Sequence, residues 1–322
     1  MDKKDIKIVF FGTPEFAAES LRKLVDNGFD IAAVVTAPDK PAGRGHRLLQ
    51  SDVKKEALLH DLPVLQPRNL KDPAFIDELK AIGADLFIVI AFRMLPEAVW
   101  QMPPMGCFNL HASLLPAYRG AAPINRAIIN GETRTGVTTF FLKHEIDTGD
   151  ILAREEIEIG PDENVGSVYD RLMRLGADMT CRTVESIADG SLHPIPQPDG
   201  EYVPAPKIFR PDCEIDWNAS ARQIHNLVRG LSPYPCARTT VVEKSGRPIE
   251  AKIISTRITD EMPDDLADAA PGTVSATRKH LVVKTGDGVI EILSLQPSGK
   301  KPMEASAFLL GYAPDSCRTS DF

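Results

Sequence analysis

The feature that most constrains this sequence is a set of continuous apolar runs, too short for helices and lacking polar alternation. Residues 6–11 (IKIVFF), 30–36 (DIAAVVT) and 85–91 (DLFIVIA) are the clearest. A strand with one face in water alternates in polarity, whereas one buried on both faces reads as an unbroken apolar run. Helix-forming stretches separate these runs, at residues 15–27, 53–59 and 74–82. That order predicts a parallel α/β sheet covered by helices. Residues 107–110, 136–142 and 151–157 are expected to complete the sheet, and a long helix at 165–189 closes the region.

The pattern breaks at residues 193–211 (HPIPQPDGEYVPAPKIFRP), where six prolines preclude a continuing helix and an interdomain linker is expected. Beyond it come one helix, at 219–231, and short strand-like runs at 237–242, 251–256, 273–275, 281–285 and 289–295. Short strands with polar turns predict a small β-barrel. A length of 322 residues agrees with two domains. The expected division is 1–192, a parallel-sheet α/β domain; 193–211, the Pro-rich linker; and 212–322, a smaller β-barrel domain. Residues 312–322 read as an ordinary tail.

Composition narrows the function classes. No apolar run reaches the eighteen residues of a membrane span. Met1-Asp2-Lys3-Lys4-Asp5 lacks the apolar core of a signal peptide, so a cytoplasmic protein is expected. Five cysteines (Cys107, Cys181, Cys213, Cys236 and Cys317) include no C-x-x-C pair, which argues against a disulfide framework or a cysteine-rich zinc site. The net charge of −8 disfavours a polyanionic partner globally. The acidity is uneven, however: residues 1–206 hold 22 basic and 30 acidic residues, and 207–322 hold 15 of each. Inside the acidic part lies a basic island with Lys40, Arg44, Arg47, Lys54 and Lys55 against Asp52 alone, plus His46. Such a loop can meet a polyanion locally.

Three places could carry chemistry. Gly12 ends the first apolar run, yet Gly12-Thr13-Pro14-Glu15-Phe16-Ala17 lacks the later glycines of a dinucleotide fingerprint, so a tight turn at the sheet edge is expected. Asn109 and His111 stand two apart on a strand and therefore share a face. An amide donor beside an imidazole at a strand's carboxyl end suits an oxyanion clamp for acyl transfer. A structural Asn and His beside a loop would give the same pair. The third place is Asp147-Thr148-Gly149-Asp150, which also reads as an ordinary turn. His111, His144 and Glu145 match no zinc spacing, and no metal is expected.

Taken jointly, NLHASLLPAYRGAAPINRAI, HEIDTGDIL and the FFGTPEFA of the first strand resemble the signature of the formyltetrahydrofolate-dependent formyltransferases. The resemblance runs from about residue 6 to about residue 311. PDKPAGRGHRL at 38–48 is similar to the tRNA-binding loop of members that formylate methionyl-tRNA, and APKIFRPDCEIDWNASARQIHNLVRGLSPYPCA to their linker and barrel start. Departures are Arg93-Met94, His144-Glu145, and Tyr234 and Cys236 where Trp and Gly are common.

The resemblance implies a Rossmann-like formyltransferase domain followed by an OB-like barrel. It implies 10-formyltetrahydrofolate as co-substrate, initiator methionyl-tRNA as acceptor and a monomeric enzyme. Asn109 and His111 would hold the oxyanion and Asp147 would assist proton transfer. Ser113, Leu114, Leu115 and Pro116 would contact the folate; Lys40, Arg44, Arg47 and Lys207 would contact tRNA. The rivals are formyl transfer to an amino-sugar nucleotide, formyltetrahydrofolate hydrolysis, and a non-catalytic RNA-binding module on the same shell.

Overall fold

Burial follows the apolar runs. In the strand Lys7–Gly12 every residue after Lys7 is buried, and Leu86–Ile90 is buried throughout. The computed structural model describes residues 3–42 and 47–319, gathered into two units. The first comprises Met1–Gly120, Thr135–Ile157 and Asp170–Pro204; the second comprises Ala121–Arg134, Glu158–Tyr169 and Ala205–Phe322.

The first unit is built on a seven-stranded sheet. Its strand order is Ile151–Glu158, Arg134–Phe141, Cys107–His111, Leu86–Ile90, Lys7–Gly12, Asp30–Val35 and Val64–Leu65. The last five run parallel, and Arg134–Phe141 lies antiparallel to Cys107–His111. The parallel expectation therefore stops at Cys107–His111. The edge strand Ile151–Glu158 alternates in burial, as a strand with one wet face must.

Helices cover the sheet with ordinary end chemistry. In Pro73–Ile82 the Asp72 side chain accepts from the Ala74 N–H, Pro73 occupies the first turn, and Gly83 ends the helix left-handed at φ 61°. Phe75 and Leu79 of that helix pack on Val9, Phe11, Ala33, Phe87 and Val89 of the sheet. Gly12 is a correction to the sequence reading: it ends a central strand, not an edge turn. A Cβ there would press on Ala17 and Phe10, so glycine serves close helix–strand packing.

The second unit centres on an antiparallel sheet in the order Val274–Ala276, Leu281–Lys284, Val289–Pro297, Pro248–Thr259, Ala237–Glu243 and Pro314–Arg318. A bridge from Thr273 to Ser316, with the Cys317 N–H donating to Gly272 O, brings the last strand back to the first and nearly closes a barrel. The helix Ala221–Leu231 starts at a reciprocal box, Ser220 and Gln223 each accepting from the other's backbone N–H. It lays Ile224, Val228 and Leu231 on a core with Trp217, Ile253, Leu295 and Phe308.

The supposed tail is the second correction. Residues 314–318 form a strand paired with Ala237–Glu243, and Cys317 is buried, which pushes its thiol up to about 12. Backbone pairing makes this strand; PDSCR has too few apolar side chains to announce it. Among the described residues, no helix is long and apolar enough to cross a membrane.

Candidate active site

Cys107–His111 is a central strand whose carboxyl end opens beyond the sheet, where open α/β sheets bind their ligands. Its entry is dry: burial pushes the Cys107 thiol far up. Phe108 and Leu110 are buried, Asn109 is half-buried, and His111 closes the strand at 7% exposure. The Asn109 side-chain amide has no hydrogen-bond partner among the described residues.

His111 is held firmly. Its Nε2 lies 2.9 Å from the carbonyl oxygen of Tyr118, which can only accept, so Nε2 carries a proton and donates it. The other nitrogen, Nδ1, faces the Asp147 carboxylate at 3.9 Å. In the neutral ring both facing atoms are acceptors. A proton donor belongs between them, whether a substrate N–H, a water or a proton on Nδ1 itself.

Asp147 sits in a left-handed turn at φ 55°, a conformation Asp tolerates better than most residues. Its carboxylate accepts from the Gly120 N–H at 2.9 Å. Its own carbonyl and that of Gly149 both accept from Nε2 of Gln197, each at 2.8 Å. Gly149 has no substitute here, because a Cβ would run into the carbonyl oxygen of Phe141. The structure thus brings His111 and Asp147 together and leaves Asn109 on the same strand face as His111.

The other expected ligand contacts divide. Ser113 and Leu115 are fully buried: the Ser113 hydroxyl donates to Ala117 O at 2.7 Å, and Leu115 packs on Phe140 and Ile151. Leu114 and Pro116 are half-buried and remain accessible to a ligand. The carbonyl of Leu115 accepts from Arg154, and its N–H donates to Thr138 Oγ1, fixing the turn.

Lys40 is exposed on a two-stranded hairpin, Lys40–Ala42 with Arg47–Leu49. Arg44 lies outside the described residues, as does the side chain of Arg47. The hairpin base is tied down: Lys54 Nζ bonds Asp39 at 2.6 Å and Gln66 at 2.8 Å, and Gln66 donates back to Asp39. The lysine and then the glutamine hydrogen bonds hold the Asp39 carboxyl below its ordinary value. In the second unit Lys207 is exposed, its Nζ 5.5 Å from the Phe209 ring centre. Among the described residues, no three His, Cys, Asp or Glu side chains are grouped as a metal site.

Sequence reasoning missed Gln197, Arg119 and the backbone of Tyr118 and Gly120. Arg119 and Gly120 lie inside a quoted motif, but Gln197 sits in a Pro-rich stretch with no periodicity to mark it. No signal in the sequence reveals its fifty-residue reach to Asp147.

Comparison with known proteins gives this chain a class. The formyl transferase family model matches residues 6–184, and that of the formyl transferase C-terminal domain matches 207–313. The chain belongs to the formyl transferase family. A methionyl-tRNA formyltransferase of Bacteroides fragilis is 49% identical over 317 residues, 97% of each chain. That of Porphyromonas gingivalis is 49% identical over 320 residues, 98% of each. Among solved structures, a sugar 3N-formyl transferase crystallised with dTDP and 5-N-formyl-THF matches at TM-score 0.65 and 20% identity, covering 92% of this chain and 99% of its own. HypX from Aquifex aeolicus in complex with tetrahydrofolic acid matches at 0.62 and 19%, covering 95% and 47%. At those identities the likeness is one of fold.

Proposed function

We propose that this protein transfers the formyl group of 10-formyltetrahydrofolate to the α-amine of initiator methionyl-tRNA, with Asn109, His111 and Asp147 carrying the chemistry. The observation that carries the reading is the acceptor pair of His111 Nδ1 and Asp147, 3.9 Å apart, with Asn109 on the same strand face and its amide without a hydrogen-bond partner among the described residues. End-to-end relatives at 49% identity named methionyl-tRNA formyltransferase support the acceptor. A cytoplasmic, monomeric enzyme belongs to the same proposal.

An α-amine has a reference pKa of about 8, so a useful fraction is neutral near pH 7 and positioning matters more than activation. Its nitrogen attacks the formyl carbon, and the carbonyl electron pair moves to oxygen. The Asn109 amide donates to that oxyanion, joined by His111 when Nδ1 is protonated; Nε2–H is already given to Tyr118. The amine proton passes to Asp147, directly or through water. Collapse breaks the bond to N10 of the folate, which takes up a proton, leaving formyl-methionyl-tRNA and tetrahydrofolate. No covalent enzyme intermediate is needed. Leu114 and Pro116 are the accessible members of the folate-contact set, and Lys40, Arg44, Arg47 and Lys207 form the proposed tRNA contacts.

The test is a turnover assay with 10-formyltetrahydrofolate and charged initiator methionyl-tRNA, beside uncharged tRNA and an amino-sugar nucleotide. Formylation of the charged tRNA alone is expected. Formylation of the sugar amine, or release of free formate without transfer, would overturn the reading.

A further inference from the structure

We infer that Gln197, together with Arg119, is a positioning residue that holds Asp147 in its reactive conformation by closing a ring of hydrogen bonds around it. The inference rests on the proposed role of Asp147 and goes beyond it by assigning function to the Pro-rich stretch.

The ring can be followed bond by bond. The Gln197 amide nitrogen donates to the backbone carbonyls of Asp147 and Gly149, both at 2.8 Å. The amide oxygen accepts two bonds from the Arg119 guanidinium, from Nε at 3.2 Å and Nη2 at 2.6 Å. Arg119 is covalently joined to Gly120, whose N–H donates to the Asp147 carboxylate at 2.9 Å. Asp147 is thus gripped at its backbone by Gln197 and at its side chain by Gly120, and Arg119 links the two grips. Only one orientation of the Gln197 amide fits, because its oxygen must face the guanidinium and its NH2 the two carbonyls.

His111 is held from the same stretch of chain. Tyr118, next to Arg119, accepts from His111 Nε2 and is itself left-handed at φ 61°. Its N–H donates to the carbonyl of Val203, again in the Pro-rich stretch, at 2.7 Å. Arg119 is braced further by the ring of Tyr202, 5.6 Å from the guanidinium carbon. Residues 118–120 therefore set both sides of the His111–Asp147 gap, and residues 197–203 set residues 118–120. Gln197 is half-buried, so its bonds are shielded from competing water.

A left-handed aspartate is held by its surroundings, not by its own preference. Gln197→Met keeps length and shape and removes every bond. Freed of its carbonyl anchors, Asp147 would sample other turns, and a misplacement of about 1 Å costs about a hundredfold in rate. Gln197→Glu would keep the Arg119 pair but set oxygen against two carbonyls, and should not rescue.

The experiment measures kcat and both KM values for Gln197→Met, Gln197→Glu, Asp147→Asn and the double variant Gln197→Met/Asp147→Asn. Expected are a kcat loss of about 10- to 100-fold for each Gln197 variant, KM values within about twofold, and a double variant no slower than Asp147→Asn alone. Wild-type kcat in Gln197→Met, rescue by Gln197→Glu, or losses that multiply in the double variant would overturn the inference while leaving Asp147 in place. Wild-type turnover in Asp147→Asn would bring down both.

Discussion

Two buried histidines in this protein have almost the same surroundings and different prospects. His111 in the first unit and His225 in the second are 7% and 2% exposed. Each directs Nε2 at a backbone carbonyl, Tyr118 at 2.9 Å and Pro161 at 3.3 Å, and each has a carboxylate within 4 Å. The difference lies at Nδ1. In His225 it accepts from the Thr256 hydroxyl at 3.0 Å, completing the bonds of a neutral ring, and its carboxylate neighbour Asp162 is 81% exposed. In His111, Nδ1 has no hydrogen bond among the described residues and faces Asp147, which is 15% exposed. Burial and a nearby acid are common to both rings. The nitrogen without a hydrogen bond is what separates them.

The largest test of that contrast is to disarm both rings. His111→Gln, Asn109→Ala and Asp147→Asn are each expected to lower kcat by at least about a hundredfold, with folding intact by circular dichroism. His225→Leu should leave the turnover of folded protein within about threefold. Comparable kcat losses in the His111 and His225 variants would break the comparison, since both rings would then act through packing.

Legibility in the sequence follows the same line. The apolar runs and the two-residue spacing of Asn109 and His111 are local periodicities, so the central strands and the shared face are legible in the sequence itself. The meeting of Asp147 with His111 rests on a chain reversal that only the joint motif suggested. Gln197 was unreadable because its partners are set by where the chain returns, not by its neighbours. The strand at 314–318 was hidden for a related reason: it is held by backbone bonds, and a backbone has no letter. Ser113 and Leu115 stand in the most distinctive motif of the chain, yet their side chains pack inward, because alternate residues of a tight segment must fill the core.

The second test is smaller and concerns stability. Burial, the main influence, pushes the His225 imidazole below its ordinary value; Arg229 and Arg222 act the same way, while the Pro161 carbonyl and Asp162 oppose them. The folded state therefore prefers the neutral ring, and the unfolded chain binds the extra proton first. Stability from this group is fully present above about pH 6.5 and is lost as pH falls from there toward the depressed folded value, with a slope no steeper than about 1.4 kcal/mol per pH unit. His225→Leu should cost about 1–3 kcal/mol at pH 8, because the buried Thr256 hydroxyl and the Pro161 carbonyl lose their partner. It should also flatten the acid side of the stability curve. Urea titrations from pH 8 to pH 5 measure both, and an undiminished pH slope in the variant would place the proton elsewhere.

The smallest effect extends the contrast from rings to cations. Lys54 is spent: its ammonium is bonded to Asp39 and Gln66 and only 15% exposed. Lys207 is open, with the Phe209 ring beside it and no carboxylate partner among the described residues. A cation already neutralised has no counterion to release when a polyanion arrives, whereas an open one exchanges its counterion for a phosphate. Lys207→Ala should raise KM for tRNA a few-fold at moderate salt and reduce the slope of log KM against log salt by about one. Lys54→Ala should leave that slope unchanged, though it frees the base of the basic hairpin. If the two variants shift the slope equally, availability of charge is not what separates them, and the proposed phosphate contact of Lys207 fails.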